Sequence, residues 1–446
     1  AGARAAASHT GSLAGEDAVF DGVARQRGVI RARNEVHMLD LVSAFAHSDV
    51  PEGNGIAIVT QSGGAGVLMA DRAEELGLTV PELGGATKEK LLNVIPDFGA
   101  TGNPVDITGQ FLAEPKIMTE SVRLVLADPE VHLGIVWLQL MHGYANLLVD
   151  VFKEIKAHAT KPFLVCWLEA PEQALTALRD GGICVIDGTE RVVDAAAGLV
   201  AFGEARQRIT AAPLPAFPKT APLPDDVGPV PSVEAWQRLK ASGLPLVDCA
   251  LAADAEAAVV AAEGIGFPVA VKIESPDIPH KMDIGGVLLG LGDSDAVRVA
   301  AETIIQNAVT QVPEARIDGL LVQAMAPART EMVLGLRHDP AFGPVLMVGL
   351  GGIFVEVLKD VAFAQAPLSR DDAKLMLDQL AGKAVLDGAR GQPSVDKRAL
   401  IDTLCALSDF AAANPDVVEL DLNPVFAGPD GMLAVDWLMM STNGRK

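Results

Sequence analysis

Basic residues are scarce in this sequence: 35 Lys and Arg stand against 58 Asp and Glu, for a formal net charge of −23 over 446 residues. A chain this anionic is not built for nucleic acid or an anionic membrane as its main partner, and an anionic substrate would need a locally basic pocket. No run of 18 or more apolar residues occurs, so nothing reads as a membrane-spanning helix. The first residues lack the basic flank and unbroken apolar run of a signal peptide, although "ARAAAS" has the small residues of a cleavage region. Cysteine is limited to Cys166, Cys184, Cys249 and Cys405, widely spaced and without a CxxC pair. That excludes a disulfide framework and a cysteine-rich metal site, and it reads as reduced, buried thiols in a cytoplasmic protein. A complete GxGxxG is also missing. In "TQSGGAGVLM" Met69 stands where the third glycine belongs, so no dinucleotide fingerprint is assigned, and an anion cradle and a plain tight turn both remain open. The chain begins at Ala1 without a methionine, and a fragment of a longer polypeptide is expected.

What is present describes a globular protein with large cores: half the residues are hydrophobic, 21% are charged and 43 are glycine. The length suits about three domains of roughly 150 residues each. Short apolar strands at 55–61, 133–140, 162–168 and 183–187 alternate with helical patterns, which predicts a mainly parallel, doubly wound sheet over about 51–205. Seven prolines between Pro213 and Pro231 exclude helix and inner strand there and predict a semi-rigid linker. Beyond it a helix (232–243) and strands at 267–273, 286–291, 318–326, 330–339, 344–350 and 432–439 are interleaved with long helical stretches near 295–310 and 370–412. That pattern predicts a mixed α+β domain.

Four stretches carry chemistry. In "VAVKIESPDIPHKMDIGGV" Lys272 ends a buried strand, and His280, Lys281, Asp283, Gly285 and Gly286 follow on a turn-rich loop. Two ammonium groups and amides freed by glycine suit a polyphosphate, and a solvated hairpin fits the same spacing. "GLLVQAMAPARTEMVLGLRHD" supplies Gln323, Glu331 and Arg337. An adenosine nucleotide wants an apolar slot with a Gln contact for the base and a carboxylate for the ribose; an ordinary amphipathic hairpin is the other reading. In "ELDLNPVFAGPDGMLAVDW" Asp421 and Asn423 alternate on one face of a strand that turns at Pro424, and Asp436 lies on the next strand. Such oxygens make a hard site for Mg²⁺ shared with phosphates, and burying the acids without a cation is unfavourable. In "SHTGSLAG" His9 precedes a helix start amid Ser8, Thr10, Gly11 and Ser12, a setting for a phosphoryl group on the imidazole or for a satisfied loop histidine. His37, His47, His132, His142, His158 and His338 lack comparable surroundings.

Taken together and in this order, "SHTGSLAG", "IAIVTQSGGAGVLMAD" with "GNPVDITG", "VKIESPDIPHKMDIGGV", "VGLGGIFVEVLKD" and "LDLNPV" with "AVD" resemble the NDP-forming (ADP-forming) acyl-CoA synthetases, relatives of succinyl-CoA synthetase. The resemblance implies an α/β chain in which a flavodoxin-like doubly wound parallel-sheet domain is linked to an α+β ATP-grasp domain. The implied boundaries are 1–50 for the end of a first CoA-ligase flavodoxin-like domain with its phosphohistidine loop, 51–205 for a second such domain, 206–231 for the linker and 232–446 for the ATP-grasp domain. It implies His9 as the phosphorylated nucleophile, His280 as a relay and Asp421 beside the phosphohistidine or metal. It places Lys272, Lys281, Gly285, Gly286, Gln323 and Glu331 around the nucleotide and Asn423 and Asp436 on the metal, with Glu356 in a further family motif. The implied activity is ATP-driven formation of an acyl-CoA through phosphohistidine and acyl phosphate, with ATP/ADP, Mg²⁺ and coenzyme A. Alternatives are a ligase or lyase acting on an aromatic or sulfonio acid, or a non-catalytic regulatory module related to acetyltransferase-fused homologues. Expected partners are a small carboxylic acid, an N-terminal CoA-binding region or subunit that this sequence lacks, and a second copy of the chain.

Overall fold

The structure, a computed structural model, describes residues 16–212, 227–278, 281–327, 329–352, 359–388 and 393–442. Among these residues the chain divides into two compact units, one made of 27–212 and the other of 16–26 together with 227–442. The first described helix, α1 (Asp17–Gln26), belongs to the second unit.

The unit of 27–212 runs α2 (Glu35–His47), β1 (Ile56–Thr60), α3 (Gly63–Glu75), α4 (Gly85–Leu92), β2 (Val105–Asp106), α5 (Lys116–Leu126), β3 (Leu133–Gln139), α6 (Ala145–His158), β4 (Phe163–Leu168), α7 (Glu172–Asp180), β5 (Val185–Ile186) and α8 (Thr189–Ala211). Its strands pair in the order β2-β1-β3-β4-β5, every pair parallel. This is the flavodoxin-like doubly wound order. The strands are short and apolar throughout because both faces are covered. One face packs into a core with α2, α3 and α8, and the other with α4, α5, α6 and α7. β2 falls within "NPVDITG", which reads as a turn from sequence; two residues are too few for a periodicity, and pairing of Val105 with Val59 makes the strand.

α8 continues to Ala211, so residues 206–211 of the predicted linker are helical. The chain stays helical until it nears Pro213, the first residue that cannot supply an N–H. Residues 213–226 lie outside the described residues.

The second unit continues with β6 (Gly228–Pro229), α9 (Ser232–Ala241), β7 (Cys249–Ala252), α10 (Ala255–Ile265), β8 (Val269–Glu274), β9 (Val287–Leu291), α11 (Ser294–Gln311), β10 (Gly319–Ala324), β11 (Thr330–Asp339), β12 (Gly343–Leu350), β13 (Val361–Gln365), α12 (Arg370–Gln379), α13 (Lys397–Ala413), β14 (Val417–Gly428), β15 (Gly431–Ala434) and β16 (Trp437–Ser441). An antiparallel four-stranded sheet, β7-β10-β8-β9, and a seven-stranded sheet, β13-β12-β11-β14-β16-β6 with β15 on β14, make the two-sheet α+β architecture of an ATP-grasp domain. α10 and α11 cover one face of the small sheet through Val269, Val271, Ile273, Leu320 and Val322. α9, α12 and α13 cover one face of the large sheet through Leu334, Leu336, Leu420 and Leu422.

Three sequence expectations change here. The helical stretch near 370–412 is two helices, separated where Gly382 and Gly388 interrupt the pattern. The strand at 432–439 breaks at Val435–Asp436 into β15 and β16. β14 does not turn at Pro424 but passes through it to Gly428, because the proline sits opposite this break, where its carbonyl accepts the Val435 N–H and no donor is needed from it.

Candidate functional site

The site begins with alternation along β8. Val269, Val271 and Ile273 point into the helical core, which leaves Ala270, Lys272 and Glu274 on the opposite face. β10 pairs with it in antiparallel register, Gln323 opposite Ala270 and Leu321 opposite Lys272. Gln323 therefore stands one pair along from Lys272 on the same face. Its side chain is buried at 1% exposure, yet neither its Nε2 nor its Oε1 has a hydrogen-bond partner. An amide left in this state loses about 1–3 kcal/mol of solvation, and it is the kind of group a bound base would satisfy.

The second wall comes from β14. Leu420 and Leu422 enter the core, so Glu419, Asp421 and Asn423 share the other face. The Asn423 N–H donates to the Asp436 carbonyl at 3.2 Å, which holds Asp436, at the break between β15 and β16, beside Asn423. From there the Asp436 carboxylate reaches across to the small sheet, its Oδ2 3.1 Å from the Lys272 ammonium. The two sheets thus meet through this ion pair. Its lysine is buried at 8% exposure and its aspartate is 52% exposed.

Electrostatics separate the two walls. At the end of β8, Glu274 accepts from the Lys281 ammonium at 2.8 Å and from the Ser232 N–H at 2.9 Å. Burial pushes the Glu274 carboxyl up, but Lys281 and Ser232 outweigh it and hold the group below its ordinary value. Asp421 behaves in the opposite way: burial, then the nearby carboxylates of Glu419 and Asp436, raise it. Acids raised in this way lack a compensating cation. Among the described residues no group of three or more His, Cys, Asp or Glu is arranged to hold a metal ion. The fit is instead to an ion that takes one or two protein oxygens, Asn423 and Asp436, and completes its shell with phosphate and water, as Mg²⁺ does.

The structure thus brings together Lys272, Gln323, Asp421, Asn423 and Asp436, with Lys281 joined through Glu274. Gly285 has φ +64°, but its N–H donates to Met282 and that of Gly286 to Lys281, at 3.0 and 2.8 Å. Both amides are used inside the turn. Glu331 is exposed on β11 opposite Phe426, on the strand face that carries Gly335, the partner of Asp421, but four residues from it. His9, His280 and Glu356 lie outside the described residues. Sequence reasoning gave no role to Glu274, although two charged residues at alternate positions of an apolar strand, Lys272 and Glu274, mark a strand face that is not core.

The four cysteines are unpaired. Cys166 and Cys184 are buried, with thiols pushed up by burial to about 12 and about 11. Cys249 and Cys405 are half-buried rather than buried: both pack against the margin of the large-sheet core, Cys249 from β7 at an edge of the small sheet. Among the described residues no helix is long and apolar enough to cross a membrane.

Comparison with known proteins places each part of the chain. An ATP-grasp domain model matches residues 229–440, a Ligase-CoA domain model matches 56–184, and a succinyl-CoA ligase like flavodoxin domain model matches 1–45. Acetate-CoA ligase [ADP-forming] I of Archaeoglobus fulgidus is 33% identical over 449 residues, which cover 98% of this chain and 64% of that protein. The chain therefore spans just under two thirds of that relative's length. In Pyrococcus furiosus, subunit beta of acetate-CoA ligase [ADP-forming] I is 41% identical over 212 residues, 48% of this chain and 91% of that subunit. Subunit alpha of the same ligase is 35% identical over 207 residues, 44% of this chain and 43% of that subunit.

Proposed function

Because the chain belongs to the ADP-forming acyl-CoA synthetase family, we propose that it carries the nucleotide and phosphoryl-transfer machinery of an acid-thiol ligase. The single observation that carries this reading is the meeting of Lys272 and Asp436 across the two sheets, with the unpartnered amide of Gln323 beside them. ATP binds between the sheets. The Lys272 ammonium neutralises its phosphates, Gln323 satisfies the adenine, and Glu331 takes the ribose hydroxyls from the rim. Asn423 and Asp436 hold Mg²⁺, which when bound offsets the charge of the polyphosphate. Lys281, held by Glu274, lies one residue from His280 and adds positive charge to the loop on which that histidine sits. Gly285 and Gly286 shape the same loop.

The chemistry proceeds in three stages, and within the first the phosphoryl group, once on one histidine, passes to the second as the first N–P bond breaks and the other forms. An imidazole nitrogen attacks the γ-phosphorus of ATP, the bond to the bridging oxygen breaks and ADP leaves. Neutral imidazole is a competent nucleophile at cellular pH, and its N–P bond stays labile. A carboxylate oxygen of the acid substrate then takes the phosphoryl group, giving an acyl phosphate and freeing the histidine. The thiolate of coenzyme A attacks the acyl carbon and phosphate departs. His9 is the acceptor and His280 the relay, with Asp421 next to the transferring group.

The acid is a small carboxylate. CoA binding is completed by a region supplied in the same polypeptide or on another subunit, as the alpha and beta subunits of the Pyrococcus furiosus relative are separate chains. The unpaired thiols fit a cytoplasmic enzyme, and a homo-oligomer completes the reading.

The test is incubation with γ-labelled ATP and Mg²⁺ in the presence of the N-terminal CoA-ligase region, followed by assay for acid-labile, base-stable protein phosphate. Label on wild type that is lost in His9→Ala or His280→Ala supports the reading. No label on wild type, or normal label in both variants, refutes it.

A further inference from the structure

In α2 the usual polarity of a surface helix is reversed. Its buried side carries Asp40, Leu41 and Ala44. There the Asp40 carboxylate accepts two bonds from the Arg191 guanidinium of α8, at 2.8 and 2.7 Å, and the Ser43 hydroxyl lies 3.7 Å from the Cys184 thiol. Leu41 packs on Gly198 of α8, where a Cβ would stand 2.3 Å from its Cδ2. The other side carries Met38, Leu39, Val42, Phe45 and Ala46, the spacing of one helix face. Met38 is 50% exposed, Leu39 62% and Val42 59%, with Phe45 exposed beside them. The Phe45 ring meets Phe202 of α8 edge-on at 5.3 Å. A helix apolar on both sides is the pattern of a buried helix, yet among the described residues only the Asp40 side of α2 is covered. A single exposed apolar side chain is ordinary, whereas a continuous stripe marks an interface.

The partner follows from where the helix falls in the matched families. The succinyl-CoA ligase like flavodoxin domain model matches 1–45 and ends within α2. The described part of that match, 16–45, holds α1 and most of α2 and no strand. A flavodoxin-like domain is a parallel sheet with helices on both faces, and each crossover between its strands takes a dozen or more residues. Forty-five residues are therefore too few to complete it. The Archaeoglobus fulgidus relative, of which this chain covers 64%, has the length to do so. The strands of such a sheet are apolar on both faces, which is the chemistry that the Leu39 stripe complements.

We propose that the face of α2 formed by Met38, Leu39, Val42 and Phe45 is the docking surface for the remainder of that flavodoxin-like domain, whose apolar sheet it covers. The proposal rests on the reading that an N-terminal CoA-ligase region completes this chain. α2 is then shared by two domains, with its Asp40 side on α8 and its Leu39 side on the sheet. The Asp40–Arg191 pair fixes the helix, so the incoming domain is held through a rigid element.

The methionine within the stripe serves as the reporter, since an exposed thioether is oxidised and a covered one is protected. Met38 oxidation by hydrogen peroxide is followed by mass spectrometry in this chain alone and in the assembled enzyme. In the latter the N-terminal CoA-ligase region is joined in one polypeptide or co-expressed as a second subunit. Wild type, Leu39→Lys and Leu39→Ile are compared. The expected result is Met38 oxidation at least tenfold slower in the assembled enzyme than in the chain alone. Leu39→Lys abolishes most of that protection and Leu39→Ile retains it. In the chain alone both variants melt within about 2 °C of wild type, because the position is exposed. Equal Met38 oxidation with and without the region would overturn the proposal, as would protection that survives Leu39→Lys. Protection that appears in the chain alone as its concentration rises would assign the face to a second copy and overturn it too. If the assembled wild-type enzyme takes no label from γ-labelled ATP, the functional reading has failed and the docking surface falls with it. Normal labelling with Met38 still oxidised removes the docking surface alone.

Discussion

The ammonium of Lys272, on the four-stranded sheet, lies 3.1 Å from the carboxylate of Asp436, on the seven-stranded sheet. The lysine is buried and the aspartate half-exposed, so the pair is open on its acidic side, where a cation and phosphates can be received. Replacing Lys272 by Met leaves Asp436 solvated and fills the lysine's place with an apolar chain of similar length. Folding stability is expected to change by no more than about 1 kcal/mol, while affinity for ATP falls at least tenfold. Thermal unfolding and calorimetric titration of one variant check both statements.

Gln323 offers the reverse combination. Its amide is buried without a partner, so Gln323→Met removes a desolvated polar group at nearly constant shape. The variant is expected to be more stable than wild type by about 1 kcal/mol in denaturant unfolding and to bind ATP more weakly. A stability loss would mean that the amide is already satisfied in the absence of nucleotide.

The Glu274 carboxyl is held below its ordinary value of 4.5 by Lys281 and Ser232 in spite of burial. A carboxyl depressed on folding stabilises the protein fully above its unfolded value and loses that contribution as pH falls through the folded one. Wild type should therefore lose stability as pH drops below about 4.5 in a way that Glu274→Gln does not. Unfolding free energies of the two proteins between neutral and acid pH should converge. Curves that remain parallel would remove Glu274 from the account.

Asp421 is raised by burial and by Glu419 and Asp436, so its ionised form opposes folding at neutral pH. Asp421→Asn is expected to raise the melting temperature by about 2–4 °C and, on the proposed mechanism, to reduce ATP-dependent labelling. A variant both less stable and fully active would contradict the role given to this carboxylate.

The parallel sheet of 27–212 was legible because four of its strands are apolar runs separated by helical periodicity; the second unit was legible only as a mixed α+β domain, and its division into two sheets depends on long-range strand pairing that no local pattern carries. β2 was hidden within a turn motif, and β13 within a short alanine-containing run that pairing with β12 makes a strand. Lys272, Asn423 and Asp436 could be named from motifs, but that Lys272 and Asp436 touch depends on the break between β15 and β16, set by hydrogen bonds from Asn423 and Val435. The face that α1 packs on β13 was present in the sequence as Val19, Gly22, Val23 and Gln26, yet a glycine and a glutamine do not read as an apolar stripe until Phe363 and Gln365 are set against them.

The most direct test of the nucleotide site is the Mg²⁺ dependence of binding. A non-hydrolysable ATP analogue is titrated calorimetrically into wild type and Asp436→Asn, each with and without Mg²⁺. The account predicts that Mg²⁺ strengthens binding to wild type at least tenfold and that this gain is largely lost in Asp436→Asn. An equal gain in both proteins would contradict the assignment of Asp436 to the metal and, with it, the placement of the nucleotide between the two sheets.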